Sequence, residues 1–174
     1  MLKKMITRKI LIASLALFAL TLYYVLPEET KTLNNIEQEL EYVDKNINTH
    51  KIYLLDSNNY LANTKIVVNS KETINLAKEL INALIIDSDM QDKIPNGFKS
   101  IIPSGTDILN LTYDNNIIKV DFSNDLMNTN VDNEGRIIEA IVYTLTSIPK
   151  VNFVIIYIDG EILTKLPQSK INLP

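Results

Sequence analysis

The chain has 174 residues, a formal net charge of −4 and 46% hydrophobic residues, enough for one globular domain with accessory segments and without sign of a second. The mild acidity is thinly spread and Lys/Arg cluster only at the N-terminus, which argues against a nucleic-acid-binding surface. Cysteine is absent, and with it disulfides, thiolate metal sites, cysteine nucleophiles and the lipid-modified Cys of a lipoprotein anchor.

Residues 1–9 are basic, with Lys3, Lys4, Arg8 and Lys9 preceding an apolar run, residues 10–26 (Ile10–Leu26). At about 1.5 Å per residue this run spans roughly 25 Å, and Leu2, Met5 and Ile6 extend it towards a hydrocarbon core of about 30 Å. A single transmembrane signal-anchor is expected. The cations lie on its N-terminal side, so that end is cytoplasmic and the rest extracytoplasmic. The run ends in Leu22-Tyr23-Tyr24-Val25-Leu26 without an Ala-x-Ala-like site, which favours an uncleaved anchor over a cleaved, secreted form. Tyr23 and Tyr24 read as membrane-interface anchors. Residues 27–49 form a polar juxtamembrane tether. Its stripe of Leu33, Ile36, Leu40, Val43 and Ile47 covers about two heptads, short for a coiled coil, so a juxtamembrane helix is preferred to dimerisation.

The domain proper is expected over residues 50–166. His50–Leu55 reads as a strand, Asp56-Ser57-Asn58-Asn59 as a turn and Tyr60–Val68 as a second strand. Ser70 fits as an N-cap, with Glu72 in the first turn of a helix whose apolar face carries Ile74, Ala77, Ile81 and Leu84, supported by Leu76 and Leu80. After a loop over Asp87–Gly97 come Phe98–Ile102, the turn Pro103-Ser104-Gly105 and a hairpin of Ile108–Tyr113 with Ile117–Phe122. In that hairpin Leu109, Leu111 and Tyr113 alternate, as do Ile118, Val120 and Phe122.

The stretch from Glu134 to Gly160 organises the rest. Ile137, Ile138, Ile141, Val142, Leu145 and Ile148 fall at helical spacing, Asp132 or Asn133 is placed to cap, and Pro149 stops the helix. Val151–Ile158 reads as a central strand covered on both faces, closed by the Asp159-Gly160 turn. A short return over Glu161–Leu163 leads into residues 167–174, a tail punctuated by Pro167 and Pro174 and expected to be loosely held. The expected fold is therefore α/β of the α+β kind: a small mixed sheet against two main helices, preceded by one transmembrane helix.

No constellation of chemical residues emerges. The single His50 has no Ser or Asp companion and reads as a surface residue. Asp87, Asp89 and Asp92 lack the glycine and closing glutamate of a calcium loop. Asp121, Asp125, Asp132 and Glu134 flank one junction, where capping and turn formation explain them more cheaply than an acid pair. The four glycines are not clustered, so there is no phosphate-cradling loop. No catalytic, cofactor-binding or metal residue is expected, and no cofactor.

One pattern nevertheless carries a resemblance. Pro103-Ser104-Gly105-Thr106, Val120-Asp121-Phe122-Ser123, Glu134, Val142-Tyr143-Thr144-Leu145-Thr146, Val151 with Val154, and Asp159-Gly160, in that order, resemble the GerMN (sporulation and spore germination) domain family over roughly His50–Leu166. The resemblance implies a small α/β domain without known catalytic residues, on the outer face of the cytoplasmic membrane of spore-forming and related bacteria. Members are similar in layout to ring-building domains of envelope complexes. The implied role is a non-enzymatic protein-interaction or assembly module of the cell envelope, in sporulation or germination, with other envelope proteins or further copies of itself as partners. An envelope enzyme or wall-binding accessory acting on peptidoglycan is the alternative. Many members are lipoproteins and some carry two such domains; this chain has no Cys and no internal repeat, and the apolar N-terminal run supplies attachment instead.

Overall fold

The computed structural model describes residues 13–21, 23 and 48–174. The chain divides into two compact units, Met1–Asn46 and Ile47–Pro174.

In the first unit, residues 13–21 and 23 are helical and every one is exposed, Leu17 at 71% and Tyr23 at 80%. The Thr21 hydroxyl is returned to the helix by donating to the Phe18 carbonyl at 2.8 Å. Among the described residues no helix is long and apolar enough to cross a membrane. The remainder of the Ile10–Leu26 run, Tyr24 included, and the tether stripe from Leu33 to Ile47 lie outside the described residues.

The second unit begins with an antiparallel hairpin of β1 (Thr49–Leu55) and β2 (Leu61–Val67). Asp56 builds its turn, the carboxylate accepting from the N–H groups of Asn58 and Tyr60 at 2.8 and 2.9 Å. Helix α1 (Thr73–Leu84) follows and buries Leu76, Ala77, Leu80, Ile81, Ala83 and Leu84. Its N-cap is Glu72, not Ser70: the Ser70 hydroxyl is spent on the Glu79 carboxylate one to two turns into the helix. Phe98–Ile102 is not a strand of its own. It is held by two isolated pairings, Lys99 with Leu55 and Ile102 with Ile85.

Strands β3 (Ile108–Asp114), β4 (Ile117–Phe122), β5 (Phe153–Ile158) and β6 (Glu161–Ile162) form a mixed sheet in the order β3-β4-β5-β6. Only the β4–β5 pair is parallel, and helix α2 (Val131–Thr146) makes the crossover between them. A register shift between Ile108 and Asn110 breaks the expected alternation in β3, so Leu109 is 53% exposed while Leu111 and Tyr113 pack against the core.

Two helices against a mixed sheet is the expected arrangement, but the strands make two sheets instead of one. The reason lies at the free edge of β1, whose polar groups are taken by α2 and its end. Thr144 Oγ1 accepts from the Tyr53 N–H at 3.0 Å, and the Ser147 hydroxyl donates to the Lys51 carbonyl at 2.9 Å. Side chains of the helix thus do what a neighbouring strand would do in a continuous sheet. All layers share one core, in which Ile52, Leu54, Leu80, Phe122, Ile137 and Ile141 are fully buried.

Three details of the organising stretch are corrected. Asn130 caps α2, its side chain accepting from the Asn133 N–H at 3.0 Å, so the helix starts ahead of both Asp132 and Asn133. The helix ends at Thr146, before Pro149. Strand β5 is not covered on both faces: its register with β4 sets Phe153, Ile155 and Tyr157 beside Ile117, Lys119 and Asp121 on the outward side, and within the strand only Ile156 is buried. Phe153 is 66% exposed.

The tail is not loose either. Residues 164–173 double back, with Lys165 bridged to Asn172 and the Leu173 N–H donating to the Thr164 carbonyl at 2.8 Å. Leu166 is buried and Leu173 packs on the core. Apolar residues at both ends of this turn give it something to bury, which a polar tail would lack.

Candidate functional site

The family-like residues are bound to the backbone of their own domain. Gly105 takes the left-handed conformation (φ +84°) in the turn before β3, and the Thr106 hydroxyl donates to the Pro103 carbonyl at 2.8 Å. Ser123, at the end of β4, accepts from the Asp107 N–H through its hydroxyl at 3.1 Å and returns its own N–H to the Asp107 carbonyl at 2.9 Å. Asp121 Oδ1 accepts from the Gly160 N–H at 3.0 Å, tying the β5–β6 turn back to β4. Thr144 holds β1, as above. These side chains are fasteners, each with a polar atom bonded to backbone within the domain.

Glu134 does the same for the tail. Its two carboxylate oxygens accept from the N–H groups of Gln168 and Ser169 at 2.8 and 2.9 Å, so one carboxylate receives a whole turn of backbone. The side chain is solvent-inaccessible, yet it lies just beneath the surface with the tail as its cover. Burial by itself raises the carboxyl pKa. The backbone donors of Ser169 and Gln168, the nearby Ser169 hydroxyl and the Lys170 charge outweigh it and hold the group below its ordinary value.

The docked tail forms one wall of a groove of about 850 Å³, a size within the range of ligand pockets. A stripe of α2 at helical spacing, Ile138, Val142 and Thr146, forms the second wall. The third is the first half of β5 with Asn152 before it. The lining is mostly aliphatic and its one carboxylate side chain is Glu139. Tyr143, also in the lining, is steadied by the Tyr53 ring at a centroid distance of 5.2 Å.

The residues weighed from sequence are scattered. His50 is half-buried in β1 and not on the surface; its Nε2 has no hydrogen-bond partner. Asp125 accepts from the Ser123 hydroxyl at 3.2 Å, and Asp132 is exposed in the first turn of α2. With Asp121 on Gly160 and Glu134 on the tail, the four acids of the junction have no partner in common. Among the described residues no three His, Cys, Asp or Glu side chains are grouped to hold a metal ion. Neither the groove nor the clasp on the tail was read from the sequence. The available signal was the pairing of Leu163 and Leu166 with Ile171 and Leu173 across Pro167-Gln168-Ser169-Lys170, an apolar pattern too short to be told from chance.

The family profile described as Germane, sporulation and spore germination, matches residues 51–164. The chain belongs to this family. The match coincides with the second compact unit up to the point where the tail turns back. Among curated proteins the chain is similar to the spore germination protein GerM of Bacillus subtilis (strain 168), 27% identical over 118 residues, which are 67% of this chain and 31% of that protein. It thus spans about a third of the curated relative's length. Among solved structures it resembles the first GerMN domain of the sporulation protein GerM from Bacillus subtilis, with a TM-score of 0.66 at 24% identity over 72% of this chain and 93% of that one. The tandem GerMN domains of the same protein give the same TM-score of 0.66 over 44% of their length. At this identity the likeness establishes the Germane fold.

Proposed function

We propose that the chain is a membrane-anchored, extracytoplasmic, non-enzymatic assembly module of the bacterial cell envelope, acting in sporulation or spore germination. The observation that carries this reading is the occupation of the family residues: Asp121, Ser123, Glu134 and Thr144 each bond backbone within the domain. An enzyme presents an acid, base or nucleophile to a cleft; here the groove between α2, β5 and the tail is lined mainly by aliphatic side chains. Such a surface suits protein contacts. The name of the GerM relative supports the sporulation setting, and the exposed apolar residues from Leu15 to Tyr23, behind a basic terminus, support the anchor. In-cell crosslinking of the full-length chain should give discrete higher-mass species, lost when Phe153 and Ile155 on the open sheet face are changed to Lys. Absence of such species, or turnover of peptidoglycan by the purified chain, would put the envelope-enzyme reading in its place.

A further inference from the structure

The β5 edge inside the groove lacks a strand. The Leu163 N–H donates to the Ile156 carbonyl and the Asp159 N–H to the Phe122 carbonyl, both at 2.9 Å. Even-numbered residues of β5 therefore turn their backbone groups to the β6 side, and odd-numbered ones to β4. By that alternation Val154 presents its N–H and C=O to the β6 side. Yet β6 pairs only with Tyr157 and Ile158, after which the chain leaves to form the tail turn. The result is a short stretch of sheet edge centred on Val154, flanked by the apolar stripe of α2 and the tail hairpin.

We propose that this groove receives an extended peptide segment of a partner protein, which adds as a strand to β5 and carries β-branched or aliphatic side chains at alternate positions together with a Lys or Arg. A backbone is the occupant that an open edge calls for, because lipid chains and small apolar molecules leave the Val154 polar groups unsatisfied. Alternate side chains of an added strand point to the two sides of the edge, one of them into the aliphatic lining of Ile138, Val142 and Leu166. Charge sets the remaining preference. Glu139 lines the groove and no Lys or Arg does, and from Asn48 onward the domain carries eleven Lys and Arg against fifteen Asp and Glu.

This deepens the assembly-module reading by naming the kind of partner it takes, and its test is separate from the crosslinking above. Three fluorescent hexapeptides are titrated by anisotropy into the full chain in mild detergent: Lys-Ile-Thr-Val-Thr-Ile, the same sequence with Glu replacing Lys, and the Lys peptide with N-methylated backbone. The Lys peptide should bind saturably, the Glu peptide more weakly and the N-methylated one not at all. Glu139→Lys, at an exposed site, should weaken the Lys peptide by roughly threefold or more and invert the order of the two charged peptides. Val154→Pro, which removes the edge N–H at a position where a strand tolerates proline, should abolish binding while circular dichroism and Tm stay those of the parent. Equal binding of the methylated peptide would mean an apolar ligand pocket and overturn the strand-addition proposal. Indifference of both charged peptides to Glu139→Lys would overturn the charge preference. Concentration-dependent self-association lost with Val154→Pro in the absence of peptide would give the edge to a second copy. If the crosslinks are found but no peptide binds, assembly does not proceed by strand addition to β5 and this proposal fails alone.

Discussion

Glu134 shows how much one side chain can organise. It stands in the first turn of α2, where a carboxylate is already favoured by the helix dipole, but its hydrogen bonds go outward to the tail. Because its pKa in the folded chain is lowered from 4.5, its contribution is fully present above that value and is lost as pH falls through the still lower folded pKa. The tail should therefore be held at neutral pH and released in acid. Amide hydrogen exchange at Gln168 and Ser169 should accelerate more than exchange in α1 as pH is lowered, after correction for intrinsic rates. Glu134→Gln should remove most of that pH dependence, since the amide stays neutral and turns at best one acceptor to two donors. Unchanged exchange in the variant would show that the tail is held by Leu166 and Leu173 alone. Gly160 gives a second residue-scale case. Its φ of +81° follows Asp159 at +49°, both left-handed, as a two-residue hairpin turn of type I′ needs. Gly160→Val places a β-branched side chain there and should destabilise by about 1–2 kcal/mol, read by denaturant unfolding.

At the scale of elements, α2 and β5 divide their work unevenly. Ile141 on α2 is fully buried, so Ile141→Ala should cost about 2–5 kcal/mol, through lost burial and the cavity left behind. On β5 the same reasoning selects Ile156, 6% exposed, and not Ile155, which faces outward and lines the groove. Ile156→Ala should approach the Ile141 effect and Ile155→Ala should cost well under half of it, in parallel urea titrations. Similar losses at Ile155 and Ile156 would contradict the β4–β5 register. The run Phe153–Ile158 reads as a fully buried strand because every position is apolar or aromatic, and periodicity cannot separate burial on two faces from burial on one plus an open surface. The bulge at Leu109 has the same character: alternation through Leu109, Leu111 and Tyr113 is what an unbroken strand shows, and nothing local marks the extra residue. Helix α2 itself was legible because its stripe has one period over four turns, while its start was misplaced among Asn130, Asp132 and Asn133, three residues that all cap well.

For the whole molecule the proposed anchoring is tested by asking which side of the membrane the domain occupies. On the proposed anchoring, the basic residues before Ile10 predict a cytoplasmic N-terminus with residues 48–174 outside. External protease applied to cells stripped of their wall should remove the domain and spare the N-terminus. Full protection would reverse the orientation, and a mature chain starting near Tyr23 would mean that the segment is a cleaved signal. The proposed anchoring would also bear on assembly, because confinement in a plane raises effective concentration towards the millimolar range and lets contacts too weak to persist in solution act together.

What the sequence by itself determined were the properties carried by short-range pattern: two amphipathic helices, the hairpin of β3 and β4, the Asp159-Gly160 turn, the apolar N-terminal run and, from the order of its small motifs, the family. What only the tertiary structure decided were the properties that depend on which distant backbone a side chain meets. Thr144 and Ser147 take the edge of β1 and split the sheet, Glu134 clasps a tail more than thirty residues away, and β6 ends early enough to leave part of β5 open. Periodicity reports how a residue is placed on its own element; these bonds join elements far apart in the chain, and no local pattern encodes their partners.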